Sequence, residues 1–438
     1  MNRTGATLPP FGLTGWSADR LVDPYPVYHR YRAASPVHPV PDPTAPDAPP
    51  THYVLGHAEV VRVLGDPAYG RSAHRARGTG PAPDGRSALR DLVENWLVFL
   101  DPPRHTRLRS VVNREFTPAV VTDLRERIRA IATDLLRDLT ATARREGVVD
   151  LVEEFAAPFP ILVISALLGV PSEDWPWLRD RAVDVQQASS SRAAHDPAAP
   201  RRADAAAREL TAYFLDLAAH RRTEPGPDLV SLLVTARPGG RSLNDTETVA
   251  TCVHLMTAGH ETTTNTLAKS VLALAARPES WAALRRTPRI PPSAVDELVR
   301  FDPPVQAVTR WAYRDLTLGG HPVPRGSKVV ALLGAANRDP ARFPEPDALR
   351  LDRRGRHVSF GLGIHYCLGA ALARTEIEIG LGLLLAALDG LGGPRPSGTL
   401  AVDEVTYPYD LVFHGPSRLT LRLDPAATPG PAPGPDGR

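Results

Sequence analysis

The chain has 438 residues, of which 42% are hydrophobic, and its 51 basic and 49 acidic residues give a formal charge of +2. A chain of this length and apolar content can bury a large core, and so small a net charge argues against a nucleic-acid partner. Two cysteines, Cys252 and Cys367, exclude a disulfide scaffold and are typical of the reducing cytoplasm. No apolar run reaches the roughly 18 residues that a membrane-spanning helix needs, so we expect no membrane anchor.

The chain has 46 prolines, and they are densest in a loop at residues 40–50 and in the segment 428–438. We find no internal repeat, which argues against solenoids and propellers. We therefore expect an N-terminal extension at residues 1–18, one large domain at 19–425, and a disordered tail rich in Pro and Gly at 426–438.

The elements begin with a mixed pattern and then become helical. The segment THYVLG at 51–56 predicts a strand, and HAEVVRVLGDP after it predicts a helix. From residue 101 to 276 the hydrophobic period predicts a helix bundle, in which residues 156–171 form a buried core helix. The segment from Asn244, as N-cap, to Arg277 predicts one helix of about 30 residues that crosses the molecule.

The C-terminal part alternates between the two patterns. SAVDELVRF at 293–301 predicts a helix, and DLTLGG, HPVPRG and SKVVALL at 315–333 predict a small sheet. A glycine-rich loop then leads into a long apolar helix, and YDLVFHG at 409–415 with LTLRLD at 419–424 predicts a closing hairpin. The fold class expected is mainly α with a small β region.

Cys367 lies where the glycine-rich loop meets the long apolar helix. Free amides and the helix dipole at such a place favour a thiolate, and glycines let the backbone approach a flat partner closely. An isolated cysteine is more often a small buried residue, but the spacing F-x-x-G-x-x-x-C-x-G is specific. The segment FGLGIHYCLGAALARTE at 360–376 resembles the haem-binding signature of the bacterial cytochrome P-450 family, whose fold we therefore expect.

The resemblance implies haem b (iron protoporphyrin IX) with Cys367 as the axial thiolate ligand, and thiolate ligation favours cleavage of the O–O bond. The segment DPPRHTRLR at 101–109 also resembles a family segment in which a His and an Arg bind a haem propionate. The cofactor-binding residues implied in this way are His105, Arg109, Arg310, His365, Phe360, Gly361 and Gly369.

A Glu and an Arg at i, i+3, Glu297 and Arg300, share one face of a predicted helix. By the same resemblance an arginine before the cysteine loop completes this pair and holds that loop. Arg353 is the best match for it, and Arg350 and Arg354 remain alternatives. The role expected for Glu297, Arg300 and this arginine is structural.

AGHETTTN in the long helix resembles the family's oxygen-activation motif. Small residues at Ala258 and Gly259 let the helix backbone pass close to the haem, and a threonine hydroxyl can bond a carbonyl one turn back and open the helix locally. Thr262 would then donate a hydrogen bond during oxygen activation while Glu261 relays protons from solvent. His254 and His260 are six residues apart, which does not suit a metal pair, so we expect core or solvated histidines.

The function implied is a haem-dependent monooxygenase that inserts one oxygen atom from O2 into a small hydrophobic organic substrate, by hydroxylation or epoxidation, in secondary metabolism. We expect a cytoplasmic monomer that receives electrons from a separate ferredoxin and ferredoxin reductase. By family analogy the substrate pocket draws on residues 70–96, 183–200, 253–258, 305–308 and the YPYDL segment. A basic docking patch for the acidic electron carrier is expected at Arg104, Arg107, Arg353, Arg354 and Arg356.

Three alternatives stay open at this point: peroxide-driven oxidation, oxidative coupling on the same haem, and a non-catalytic haem-binding or recruiting domain. A peroxide-driven enzyme usually lacks the acid and alcohol pair that Glu261 and Thr262 supply here. A degenerate recruiting domain would be expected to lose Cys367 or the Glu297 and Arg300 pair.

Overall fold

The computed structural model describes residues 8–79, 87–188, 196–235, 243–391 and 401–422. The predicted tail at 426–438 and the first seven residues of the predicted extension lie outside these described residues. Within them, helices dominate and short strands form small sheets, which confirms the predicted fold class.

The N-terminal half is built from helices that alternate with a few strands. Its strands are β1 (Val37–Val40), β2 (Thr51–Val54), β3 (Tyr69–Gly70) and β4 (Val148–Asp150). Its helices are α1 (Ala18–Val22), α2 (Tyr25–Ala34), α3 (His57–Gly65), α4 (Ala73–Arg77), α5 (Ala88–Val93), α6 (Arg104–Val112), α7 (Pro118–Asp123), α8 (Arg125–Glu146), α9 (Pro158–Leu168), α10 (Trp175–Gln187) and α11 (Ala199–Thr223). The predicted strand and helix at 51–65 and the buried core helix at 156–171 are confirmed by β2, α3 and α9.

The C-terminal half begins with helices and ends in strands. Its helices are α12 (Leu229–Thr235), α13 (Asp245–Ala275), α14 (Pro278–Arg285), α15 (Pro292–Phe301), α16 (Leu333–Asn337) and α17 (Ala370–Gly390). Its strands are β5 (Ala307–Ala312), β6 (Leu316–Leu318), β7 (His321–Val323), β8 (Lys328–Leu332), β9 (Ala401–Thr406) and β10 (Arg418–Arg422).

The largest sheet has the order β1-β2-β8-β5-β3, in which only the pair β2 and β8 is parallel. The proline-rich loop at 40–50 connects β1 to β2, which pair with Val40 opposite Thr51. β6 pairs with β7, and β4 joins β10 and β9 in a third sheet. The helix bundle predicted for residues 101–276 is therefore interrupted by one strand, β4.

The predicted closing hairpin is wrong in its first strand. The partner of β10 is β9, whereas YDLVFHG is an irregular segment between them. Its Asp410 carboxylate accepts the amides of Val412 and Phe413, at 2.9 and 3.2 Å, and such a local turn competes with a strand ladder. The segment pairs instead with residues 304–306, through the Gln306 amide on the Val412 carbonyl and the Val305 to Phe413 bridge.

The long helix α13 has 31 residues, close to the predicted length, and it runs through the helical core with 22 of them buried. It begins at a capping box: the Asn244 side chain accepts the amide of Glu247, and the Glu247 carboxylate accepts the amide of Asn244. It ends at Ala275, before the proline that starts α14. The capping box gives hydrogen-bond partners to amides at the start of the helix, and the proline prevents the helix from continuing beyond its end.

The residues before α1 are packed against the rest of the molecule. The ring of Phe11 is buried and meets the ring of Tyr31 at 5.0 Å and that of Tyr53 at 5.1 Å between centroids. Aromatic packing of this kind joins residues 8–16 to α2 and β2. Within the described residues, none of the helices combines the length and the apolar character that crossing a membrane requires.

Candidate active site

The middle of α13 carries a narrow accessible strip. Between Glu247 and Val271 the residues of α13 are buried with five exceptions, which are His254, Ala258, Gly259, Glu261 and Thr262. Since residues at i, i+4 and i+8 share a helix face, His254, Ala258 and Thr262 point in one direction. A central helix that is accessible only along one face borders an open space inside the protein.

The oxygen-activation motif predicted from the sequence lies on this accessible strip. The Thr262 hydroxyl donates to the Ala258 carbonyl at 3.0 Å, which is the bond expected one turn back, while the helix continues unbroken. A Cβ placed on Gly259 would meet Ile164 of α9 at 3.5 Å, so this position faces α9 as well as the open space. The structure thus brings Ala258, Glu261 and Thr262 to one accessible surface.

His260 lies on the opposite, buried side of α13. Its ring nitrogens have no hydrogen-bond partner among the described residues, and burial lowers its pKa to about 4. It is therefore a neutral core histidine. Among the described residues there is no cluster of three or more His, Cys, Asp or Glu side chains that could hold a metal ion.

Cys367 ends a tight loop that is held by the backbone. Its amide donates to the Phe360 carbonyl at 2.8 Å, and Gly363 adopts a φ of 67° in the left-handed region. A Cβ on Gly363 would lie 2.9 Å from the Leu64 carbonyl oxygen, so glycine is required both by the backbone angle and by the close approach to α3. The ring of Phe360 packs under Arg374, whose guanidinium lies 4.3 Å from the ring centroid.

The surroundings of the Cys367 thiol have opposing effects on its pKa. Burial raises its pKa, whereas the backbone N–H of Gly369 and the guanidinium groups of Arg109 and Arg374 lower it. Gly369 is the N-cap of α17, and open space surrounds the place where its Cβ would be. A sulfur with an amide donor and nearby cations is suited to an anionic, metal-ligating thiolate.

Basic side chains converge beside the cysteine loop. The rings of His105 and His365 lie 4.4 Å apart between centroids, and an Arg109 Nη atom donates to the Tyr366 carbonyl at 2.8 Å. Burial lowers the pKa of Arg310 to about 10, so its guanidinium stays charged at neutral pH. After burial, the charges of Arg310, His105 and Arg109 all lower the pKa of His365, so the four residues predicted to bind haem propionates form one group.

This basic group fits the two propionate carboxylates of a haem. Both ring nitrogens of His105 and the Nε2 atom of His365 are buried without a hydrogen-bond partner. Burial first, and then the cations around the ring, lower the pKa of His365 to about 2, so this imidazole is neutral. Buried polar atoms normally have partners, and carboxylates would provide them here.

Glu297, Arg300 and Arg353 form a buried ion triad that holds the chain leading into the cysteine loop. The Glu297 carboxylate accepts from Arg300 Nε at 2.6 Å and from Arg353 Nε at 3.0 Å. Arg350, one of the alternatives, contributes only its backbone amide, which donates to Glu297 at 2.8 Å. The structure thus places Arg353 in the triad.

Part of the predicted docking patch is used inside the molecule. Arg353 is committed to the triad, and Arg104 and Arg107 pair with the buried Glu247 carboxylate at the start of α13. The prediction of a docking patch is therefore wrong for Arg353, and it stays a prediction for Arg104 and Arg107, whose side chains are 42% and 34% exposed. The spacing of these arginines in the sequence did not reveal their ion pairs, because the carboxylate partners are distant in the chain.

Two ionisable residues near the site, the buried Glu376 and the half-buried Arg71, were not found from the sequence. Glu376 in α17 is fully buried, and burial raises its pKa to about 8 while a bond to Thr263 of α13 opposes the rise. Arg71, directly after β3, is enclosed beside Arg310 and His254. Neither residue belongs to a spacing pattern, since each meets its neighbours through long-range packing.

Comparison with known proteins gives the family. A model described as Cytochrome P450 matches residues 202–287 and 292–389. Vitamin D(3) 25-hydroxylase of Pseudonocardia autotrophica is 38% identical over 408 residues, which are 92% of this chain and 94% of that protein. Mycinamicin IV hydroxylase/epoxidase of Micromonospora griseorubida is 38% identical over 371 residues, which are 84% of this chain and 88% of that protein.

A solved structure of a cytochrome P450 is similar to this chain over nearly its whole length. The cytochrome P450 PksS of the Bacillus subtilis 168 bacillaene polyketide synthase has a TM-score of 0.82 and 31% identity. The match covers 94% of this chain and 99% of that one. The chain therefore belongs to the cytochrome P450 family, and it is a haem-dependent monooxygenase whose haem is held by a cysteine thiolate.

Proposed function

We propose that Cys367 is the haem ligand, that the basic group holds the propionates, and that Thr262 and Glu261 carry protons to the reaction. Haem supplies the activation of O2 and the oxidation of an unreactive C–H or C=C bond. The protein keeps the cofactor oriented, leaves room at Ala258, and delivers protons along the accessible strip. The observation that carries the proposal is this strip, because an acid and an alcohol there reach the interior from a helix that is otherwise buried.

Thr262 and Glu261 have complementary roles in the proposal. The Thr262 hydroxyl, which bonds the Ala258 carbonyl at 3.0 Å, is held on the helix face toward the open space. From there it can donate a proton and be replenished by Glu261, a carboxylate at the edge of the same strip. An acid and an alcohol in this position favour O2-dependent oxygenation over the peroxide-driven alternative.

The proposal includes the partners. As a monooxygenase the protein takes an organic substrate, O2 and electrons from a redox partner, and we assign the last role to a separate ferredoxin with its reductase. Ile364 and Tyr366, which lie in the cysteine loop, are 53% and 39% exposed and offer an apolar docking surface next to Cys367 in the chain. The working form in this proposal is a monomer in the cytoplasm, where the two free cysteines stay reduced.

The substrate proposed is a small, mainly hydrophobic molecule of secondary metabolism, oxidised by hydroxylation or epoxidation. Two relatives bear names of this kind, one a hydroxylase and the other a hydroxylase/epoxidase. Exposed large hydrophobic side chains at Val98, Phe99 and Tyr409 lie in or near segments predicted to line the pocket. Such apolar linings with few polar groups are typical of ligand pockets.

The experiment is the substitution Thr262→Ala in the holoenzyme, supplied with a plant-type ferredoxin and its reductase and with a compound chosen by its Soret spin-state shift. We expect the ratio of product to NADPH consumed to fall several-fold and hydrogen peroxide to rise, since protons no longer reach the reacting oxygen in time. Product and peroxide are quantified in the same reactions.

Thr266→Ala is the matched control. Thr266 lies one turn further along the same face of α13 and donates to the Thr262 carbonyl at 2.8 Å, but it is buried beyond the end of the accessible strip. The control should keep the wild-type ratio. If Thr262→Ala is as well coupled as the wild type, the proton role of Thr262 is wrong.

A further inference from the structure

The accessible strip of α13 ends after Thr262, although the same face of the helix continues. Asn265 and Lys269 follow Thr262 at i+3 and i+7, so they point in the direction of the strip, but both are buried. The chain at 414–415 covers them. A Cβ placed on Gly415 would collide with the Asn265 side chain, so glycine is needed for the backbone to pass this close to the helix. Residues 414–415 therefore close the open space beside α13 at this end.

Lys269 holds the covering chain through its ammonium group. The Nζ atom donates to the Asp302 carboxylate at 2.6 Å and to the Pro303 carbonyl at 3.0 Å. It also donates to the His414 carbonyl at 3.1 Å, and His414 Nδ1 lies 2.8 Å from it. The acceptors of three chain segments thus converge on one buried nitrogen, which belongs to α13.

The imidazole of His414 extends this connection to α1. Its Nε2 atom lies 2.5 Å from the Leu21 carbonyl, which can only accept, so Nε2 carries the proton and Nδ1 accepts from Lys269. Burial and the charge of Lys269 lower the pKa of His414 to about 4, which keeps the ring neutral. The ring also stacks on Tyr407, with centroids 5.0 Å apart and planes at 29°. The position of His414 is therefore fixed on both sides of its ring.

The two chains that Lys269 binds are also paired with one another. The His414 amide donates to the Pro304 carbonyl at 2.8 Å, and the Gln306 amide donates to the Val412 carbonyl at 2.9 Å. Neither residues 303–306 nor residues 412–414 can shift without breaking these bonds. Lys269 thus attaches a paired unit, rather than a single loop, to α13.

A lysine is chemically suited to this position. Only two of the 51 basic residues are lysines, Lys269 and Lys328, and all the others are arginines. An ammonium group carries three donors on one compact atom, whereas a guanidinium spreads its donors over a plane. Burial lowers the pKa of Lys269, and the charge of Asp302 opposes that fall. Acceptors that converge on one point beside a carboxylate fit the ammonium group.

We propose that Lys269 is a positioning residue for substrate selection, because it holds residues 412–415 across α13 and so fixes the shape of the open space next to Thr262. The inference rests on the proposed function, in which the substrate is oxidised in that space. A boundary that is held in one position distinguishes molecules of the same polarity and size by their shape. The competing interpretation is an ion pair that only balances the buried charge of Asp302 and affects stability alone.

The test uses probes that differ only in shape. The separate enantiomers of econazole and of miconazole bind haem iron through the same imidazole nitrogen, and Kd is read from the Soret shift of the holoenzyme. For at least one of the two compounds we expect the enantiomers to differ in Kd by about fivefold or more in the wild type. In Lys269→Met the two Kd values should lie within about twofold of each other, because the released boundary adapts to either shape. Unsubstituted imidazole, which needs only the iron, should bind both proteins within about twofold.

Three further variants separate positioning from stability. Lys328→Met removes the other lysine, at an exposed position of β8, and should keep the wild-type ratio. Lys269→Met combined with Asp302→Asn leaves no unpaired charge, but it should not restore the ratio, because the bonds to the Pro303 and His414 carbonyls are still missing. His414→Gln leaves the pair of Lys269 and Asp302 in place and removes the ring between Leu21 and Tyr407. It should lower the ratio, and it decides the question where Lys269→Met fails to fold.

The absence of an enantiomer preference in the wild type, its persistence in Lys269→Met, or an unchanged ratio in His414→Gln would overturn the proposal. Recovery of the ratio in the double variant would assign Lys269 to charge balance and overturn it as well. A parallel loss of imidazole affinity in Lys269→Met would place the effect at the haem, with the same consequence. Failure of the proposed function is recognised separately, since the wild type itself would then lack the red-shifted Soret band that the reduced carbonyl complex of a thiolate-ligated haem shows.

Discussion

Glu297 is a single carboxylate that accepts from two guanidinium groups in the protein interior. Arg300 also donates to the backbone carbonyls of Asn337 and Pro346, and Arg353 donates to those of Pro344 and Glu345. The charges are thus paired and their remaining donors are satisfied, which is the condition under which a buried ion cluster is tolerated. The triad fixes the chain from 337 to 353, from which the cysteine loop continues.

Removing one guanidinium from this triad should be strongly destabilising. We expect Arg353→Met to lower the free energy of unfolding by about 3 kcal/mol, because Glu297 keeps a buried charge with one of its partners gone. Arg354→Met, at the exposed neighbouring position, should change it by less than about 0.5 kcal/mol. Urea unfolding of the two holoenzymes measures the difference, and similar midpoints for both would contradict the role given to Arg353.

The residues of the site differ in how far the sequence could predict them. Cys367 and the Glu297 and Arg300 pair lie in short segments whose spacing carries the information. The choice of Arg353 over Arg350 needed the structure, because it depends on how the loop turns back toward α15. Arg71 was missed because its neighbours Phe99, His254 and Thr309 are brought to it only by the tertiary fold.

At the scale of the element, α13 depends on its N-terminal end as well as on its buried faces. The reciprocal bonds of Asn244 and Glu247 satisfy amides that would otherwise lack a partner. The Glu247 carboxylate also receives Arg104 and Arg107, so the cap joins the long helix to α6, which carries His105 and Arg109. The end of α13 therefore helps to place the propionate-binding residues.

Removing the cap should cost a measurable part of the stability. We expect Asn244→Ala to reduce the free energy of unfolding by about 1 kcal/mol, since a helix amide loses its acceptor. Asn244→Asp retains an acceptor at the same place and should stay close to the wild type. Both are measured by urea unfolding followed by circular dichroism, and equal losses in the two variants would show that the cap bond is not the cause.

The helices could be predicted more fully than the strands. The residues that begin and end a helix are its neighbours in the sequence, as Asn244 and the proline after Arg277 are for α13. A strand is defined instead by a partner that is distant in the chain. The apolar residues of 409–415 alternate like a strand, but Asp410 turns the backbone and the segment pairs with residues 304–306. The true partner of β10, β9, has mostly exposed residues and so lacks a hydrophobic pattern.

At the scale of the whole molecule, the two helices that bound the site meet around a buried acid. Glu376 lies on α17, which begins just after Cys367, and contacts Thr263 of α13, next to the accessible strip. Its carboxyl is almost completely removed from solvent, and because burial raises its pKa to about 8, it is protonated in the folded protein at neutral pH. The contact between α13 and α17 therefore contains a neutral carboxylic acid, although a glutamate in water is ionised at neutral pH.

This group should make the stability of the fold depend on pH. Its folded pKa of about 8 lies above the ordinary glutamate pKa of 4.5, so between these values the folded state binds more protons than the unfolded state. Its contribution is therefore fully present below pH 4.5 and is lost as the pH rises toward 8, by about 1.4 kcal/mol per pH unit. Glu376→Gln, which cannot ionise, removes this slope.

The stability advantage of Glu376→Gln over the wild type should consequently grow between pH 5 and pH 8, at about 1.4 kcal/mol per unit. Urea unfolding of both holoenzymes at a series of pH values measures this difference, and subtracting the two curves cancels the titration of every other group. Glu126→Gln, at an exposed position of α8, serves as the matched carboxyl-to-amide change and should give a nearly flat difference. A flat difference for Glu376→Gln as well would mean that the Glu376 carboxyl is ionised in the folded protein, and that the contact between α13 and α17 accommodates its charge.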